Sequence, residues 1–143
     1  MSGRLLLALA IAAIGAAVVG GFLIVGGPVQ GQRDKFDRQR YLELGRLARA
    51  LLCEQGFRTP GSALPAELTV EALRVHCSSA GISAEDLIDD ETGKPYTYAR
   101  KDDHDFSVCA TFHDAARTHR LNDDGWFGAL FDPETGCAYG WFR

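Results

Sequence analysis

The sequence predicts an α+β protein: an N-terminal transmembrane helix, then an amphipathic helix packed on a small antiparallel sheet of two hairpins. Three observations carry this expectation. Leu5 to Gly27 holds no charged or polar side chain, and residues 32–55 space their apolar side chains at helical intervals. Two later stretches, each opened by Glu-Thr-Gly, run on through aromatic residues at strand spacing.

The apolar run comprises 23 residues, against the roughly 20 a helix needs to cross about 30 Å of hydrocarbon. The competing reading is a cleaved signal peptide, whose apolar core is usually only about 7–15 residues. The run is longer than that and ends in Gly26-Gly27-Pro28 without a small-x-small cleavage site. It is expected to remain as a single-span anchor. Within it Ala8, Ala12, Ala16 and Gly20 recur every four residues, flanked by Ala13, Ala17 and Gly21. Small residues in this register let a second helix approach closely, so the stripe is the expected contact with a partner span; an Ala/Gly-rich composition produces the same pattern by chance.

From about Gln32 to Gln55, Tyr41, Leu44, Leu47, Ala48, Leu51 and Leu52 form one helical face, and Gly56 is placed to end the helix. Asp34 with Arg38, and Glu43 with Arg46, fall at spacings where helical side chains meet. Residues 58–65 are rich in Pro, Gly and Ser and read as a loop. Thr69 caps a short helix expected to reach Ala80, with Gly81 closing it. Ser83 to Asp86 resembles a capping box and marks one further helical turn.

Asp89-Asp90-Glu91-Thr92-Gly93 is turn chemistry, and Lys94-Pro95 keeps the following residues extended. Tyr96–Tyr98 and Phe106–Phe112 then alternate as two strands joined by a polar connection, with Phe106, Val108, Ala110 and Phe112 on one face. Glu134-Thr135-Gly136 with Tyr139 and Trp141 echoes Glu91-Thr92-Gly93 with Tyr96 and Tyr98. A second hairpin is therefore expected from Trp126–Phe131 and Cys137–Phe142. The organisation reads as an anchor over residues 1–28, a juxtamembrane amphipathic helix over 29–57 and an extracytoplasmic α+β domain over 58–143.

Charge divides along the chain. Pro28 to Pro60 holds seven Lys/Arg and four Asp/Glu, whereas Gly81 onward holds six against thirteen. An acidic distal domain argues against nucleic acid as a partner. Orientation is contested. Arg4 precedes the apolar run and Arg33, Lys35, Arg38 and Arg40 follow it, which by the Lys/Arg count favours a cytoplasmic domain. Against this stand four cysteines, Cys53, Cys77, Cys109 and Cys137, an even set in a small domain, as in an oxidising compartment. The cysteines are given the greater weight.

Tests for chemistry return little. Asp102, Asp103, His104 and Asp105, like Asn122-Asp123-Asp124-Gly125, lack calcium-loop spacing and read as solvated turns. Cys109 and His113 stand four apart, His76 adjoins Cys77, and His113 and His119 are six apart, with no pair at zinc-site spacing. A cysteine nucleophile needs an activated free thiol, whereas four cysteines form two bridges more simply. Three pairings are possible; Cys53–Cys77 with Cys109–Cys137 is the one expected, joining helix to helix and hairpin to hairpin. No enzyme activity, cofactor, metal or small-molecule substrate is expected.

The run Asp90-Glu91-Thr92-Gly93-Lys94-Pro95-Tyr96-x-Tyr98, followed by Val108-Cys109-Ala110-Thr111-Phe112, resembles a signature in small membrane-anchored bacterial proteins of uncharacterised role. The layout also looks like the pilin and pseudopilin domain, a long N-terminal helix followed by a hairpin opened by an Asp/Gly/Pro-Tyr turn. The chain departs from that pattern in having no acidic residue in the apolar run and no basic-Gly-Phe processing site before it. The resemblance implies an architecture anchored in a bacterial membrane; with the cysteines weighed beside it, the expected place is the inner (cytoplasmic) membrane with the C-terminal domain in the periplasm. The expected role is an interaction domain, an accessory subunit of a larger membrane complex, with the bilayer and a membrane protein as partners. A minor pilin-like component of a secretion or filament system is the alternative. Tyr96, Tyr98, Tyr139 and Trp141 are the candidate contacts outside the membrane, with core packing the expected fate of at least half of them.

Overall fold

The computed structural model describes residues 3–25, 27–53, 63–78, 80–122 and 130–141. The chain divides into two units, Met1–Arg33 and Asp34–Arg143. Helix α1 is Gly3–Val25, and α2 is Gly27–Leu52. Then come α3 (Val70–His76), a 3-10 turn at Glu85–Leu87, β1 (Thr97–Arg100), β2 (Asp105–Cys109), α4 (Ala115–Asn122), β3 (Phe131–Asp132) and β4 (Cys137–Trp141). The class is α+β, with a long apolar N-terminal helix and a four-stranded antiparallel sheet in the order β1-β2-β4-β3.

In the first unit, α1 is long enough and apolar enough to cross a bilayer. Its large side chains are exposed, from Leu5 to Ile24, a surface that water would not leave uncovered. It ends beside Gly27, whose φ of +67° breaks the helical path.

The second unit is built around α2. Its apolar face folds as its spacing predicts, with Tyr41, Leu44, Leu47, Ala48 and Leu51 buried. They share a core with Leu64 and Leu73, and with Phe106, Val108, Phe131 and Ala138 of the sheet. The Tyr41 ring meets Phe131 edge-on at 5.0 Å, and Phe131 meets Phe112 at 5.4 Å. The helix is longer at its start than the sequence indicates, and Gly56 lies outside the described residues.

Helix α3 begins where expected, Thr69 accepting a hydrogen bond from the Ala72 N–H at 3.1 Å. It stops at His76 rather than Ala80, because Cys77 takes an extended conformation and enters a disulfide. The turn after it is capped as its sequence suggests, the Asp86 carboxylate accepting from both the backbone and the hydroxyl of Ser83.

The Glu-Thr-Gly echo is a structural one. Asp89 and Asp132 each open a turn by accepting the N–H two residues on, and each accepts through its carbonyl from Gly93 or Gly136. Both glycines have positive φ, +66° and +69°. The first hairpin, β1 with β2, pairs Thr97 with Cys109 and Arg100 with Phe106. In the second hairpin Phe131 and Asp132 pair with β4, and residues 126–129, expected to begin it, lie outside the described residues. The hairpins join through β2 and β4, with Phe106 opposite Gly140. Here the Phe106 ring occupies the space a Cβ on residue 140 would need. Gly140→Val is therefore expected to cost about 1–3 kcal/mol, measured as a lower urea midpoint at unchanged slope.

Candidate functional site

Four features were candidates for function: the cysteines, the ionisable groups, the aromatic sheet residues and the α1 stripe. The four cysteines form two disulfides, Cys53–Cys77 and Cys109–Cys137, with no free cysteine among the described residues. The first holds the end of α2 to the end of α3. His76 adds to that junction by donating its Nε2–H to the Leu51 carbonyl at 2.8 Å. The second links directly opposed residues of β2 and β4. With its sulfur bonded, Cys109 offers no thiolate, and His113 faces Glu91 instead, at 3.0 Å.

Sequence reading did not find the buried charge cluster. Asp37 and Arg40 of α2 are 1% and 3% exposed. Arg40 lies 3.0 Å from Asp37 and 2.5 Å from Asp89, and also pairs with Glu91. Asp37 further accepts the backbone N–H groups of His113 and Asp114 at 3.0 and 2.8 Å, fixing the start of α4 against α2. Burial opposes the Arg40 charge, but the hydrogen bonds it donates to Asp89 and Glu91 outweigh burial and raise the guanidinium above its ordinary value. Burial likewise opposes ionisation of Asp89 and Glu91. Arg40 outweighs it, aided by backbone N–H groups at Asp89 and by His113 at Glu91, so both carboxyls sit below their usual range. Asp89 is thus both a turn former and a tertiary ion partner.

A second buried contact lies one helical turn on. The Tyr96 hydroxyl donates to the Glu43 carboxylate, which also accepts from Gln39 at 3.1 Å. Burial pushes the Glu43 carboxyl up, against the pull of those two donors, and burial beside Glu43 raises the Tyr96 phenol. These contacts join α2 to the Asp89 turn and to Tyr96.

The four aromatic candidates separate. Tyr96 is buried, and Tyr98 is half-buried with its hydroxyl donating to the Pro65 carbonyl at 2.8 Å. Tyr139 and Trp141 are 40% and 62% exposed, on the sheet face turned away from α2. Together with Ala99, Ser107 and Asp105 they line a groove of about 490 Å³. On this face Asp105 stands opposite Trp141, and Ser107 opposite Tyr139.

On α1, Ala8, Ala12 and Ala16 are exposed and Gly20 is half-buried. Beside this stripe Ala17, Val18, Gly21, Phe22 and Gly27 border a shallow apolar depression of about 370 Å³. The acidic connection is a turn: Asp102 accepts from the N–H groups of His104 and Asp105 at 2.7 and 2.8 Å. Among the described residues no group of three or more His, Cys, Asp or Glu side chains is placed to hold a metal ion.

Comparison with protein-family models, curated proteins and solved structures gave no significant match. The arrangement has one recoverable signal that sequence reading passed over. Extending the Tyr41, Leu44, Ala48 stripe back by one helical turn lands on Asp37 and Arg40, charged residues on what must be a buried face.

Proposed function

We propose that this chain is a single-span membrane protein whose disulfide-bonded α+β domain sits outside the cytoplasm and acts by binding other proteins. It is an accessory subunit of a larger complex in a bacterial inner membrane, with its domain in the periplasm. The observation that carries this reading is the pairing of a fully exposed apolar helix, α1, with a domain closed by two disulfides. The role is non-enzymatic: the ionisable side chains with the largest shifts are engaged with one another in holding α2, and the accessible chemistry of the sheet is the aromatic face of Tyr139 and Trp141. Exposed aromatic side chains on a sheet face are favourable anchors for a protein partner. Inside the bilayer the Ala8, Ala12, Ala16, Gly20 stripe is the contact with a partner span.

The test is a detergent pull-down of the full chain and of a variant with Ala12, Ala16 and Gly20 replaced by leucine. A partner recovered with the first and lost with the second is expected. Identical recoveries, or none, would remove the accessory-subunit role. The pilin-like alternative draws support from the packing of α2 on a four-stranded antiparallel sheet. It requires N-terminal processing, so an intact mass that begins at Met1 or Ser2 eliminates it.

A further inference from the structure

We infer that α4 and the adjoining turns of α2 form a cationic face that docks on anionic phospholipid headgroups of the bilayer holding α1. The inference rests on the membrane-anchor reading and adds a second, reversible contact to it. Helix α4 presents Ala116, Arg117, Arg120 and Leu121 to solvent, residues spaced to form one face, with Thr118 buried opposite. Leu121 is 68% exposed on that face, next to two guanidinium groups. The ion pair of Arg117 with Asp34, at 3.2 Å, lays this face beside α2, where Lys35 and Arg38 are also exposed. A depression of about 250 Å³ bordered by Arg38, Arg117 and Leu121 lies between the two helices.

Four cations thus lie on α4 and the adjoining turns of α2, and two of them, Arg38 and Arg117, border the depression with Leu121. Against them, among the described residues of this face, stand the carboxylates of Asp34, paired with Arg117, and Asp114, which accepts the Arg117 N–H at 2.8 Å, so four cations less two anions leave an excess of two positive charges. The composition fits an interfacial contact, in which cations attract anionic headgroups and an apolar side chain enters the acyl boundary. Chain continuity selects the bilayer over a soluble anion: Lys35 follows the end of α1 by ten residues, so a juxtamembrane cation has lipid phosphate within reach. The charge is also local, since the chain as a whole carries a net charge of −4. The face has a defined anchorage, because Asp37 fixes the start of α4 on α2.

The experiment places the full oxidised chain in nanodiscs of phosphatidylcholine alone and of phosphatidylcholine mixed with phosphatidylglycerol. Relaxation of α4 backbone amides by a nitroxide on the lipid headgroup reports docking, and relaxation of α1 amides by an acyl-chain nitroxide reports insertion. Strong α4 relaxation is expected on the anionic bilayer only. It should vanish in about 1 M salt, where the screening length falls to about 3 Å. Each cation removed should lower the docked-to-undocked ratio roughly fivefold, so Arg38→Gln with Arg120→Gln should lower it roughly 25-fold. Equal α4 relaxation on both bilayers, with α1 inserted, overturns the docking face alone. Absence of α1 insertion overturns the anchor and the docking face together.

Discussion

Replacing Arg40 by methionine is expected to destabilise the second unit by about 3–5 kcal/mol, the usual cost of deleting one member of a buried ion cluster. Methionine keeps the packing volume of the stem, so the loss reports charge rather than a cavity. The reason is the accounting around the guanidinium: Asp37, Asp89 and Glu91 all lean on it, and Asp37 is almost fully buried. Without Arg40, Asp37 keeps only the two backbone N–H groups of His113 and Asp114. Urea unfolding at neutral pH checks the magnitude, and a loss below about 1 kcal/mol would show the cluster to be as weak as a surface pair. The same experiment in acid tests the sign. Asp89 and Glu91 have native values below their unfolded ones, so the stability they add is present above about pH 5 and is lost as pH falls through their native values. Glu43 works the other way, because its native value is raised and its protonation relieves a buried charge. The wild-type chain should lose stability steeply in acid, and the Arg40→Met variant much less so.

The second large effect concerns the disulfides. Replacing Cys109 and Cys137 together by alanine is expected to cost about 3 kcal/mol, since the bond closes a loop of 28 residues and the unfolded chain gains that freedom. Cys53–Cys77 closes a loop of 24 residues, so its removal should cost nearly as much. Urea midpoints of the two variants and of the wild type, with and without reductant, decide this. A reduced wild type as stable as the oxidised one would refute the estimate for both bonds.

These two predictions differ in how far the sequence discloses them. The α2 stripe and the Asp-x-Glu-Thr-Gly turns are periodic or local features that spacing exposes, and the even count of cysteines narrows their pairing to three possibilities. The ion cluster is not local. Helical spacing suggests Asp34 with Arg38 and Glu43 with Arg46, yet the structure pairs Asp34 with Arg117, Arg46 with Asp86, and Glu43 with Tyr96. Partners 40 or more residues away leave no periodic trace. Helix α4 went unseen for a related reason: Ala115 to Asn122 carries no apolar stripe, because its inner side meets the protein through Thr118 and His119. Alternation shows which aromatic residues share a strand face without showing which face is covered, so the sequence leaves open which of Tyr96, Tyr98, Tyr139 and Trp141 pack inward. The outer face of Tyr139 and Trp141 was legible as a strand face, and its exposure was supplied by the fold.

The position of the Cys109–Cys137 bond has a further result for a chain that is cut. Helix α4 and β3 both lie within the covalent ring it closes. An endopeptidase that cuts the backbone anywhere between these cysteines releases no fragment. The nicked molecule gains the mass of one water and keeps its cationic helix tied to the sheet until a reductant arrives. On a gel the same cut is silent without thiol and yields two bands with it. In a compartment rich in proteases and poor in thiols, the bond therefore makes the domain tolerant of a broken chain.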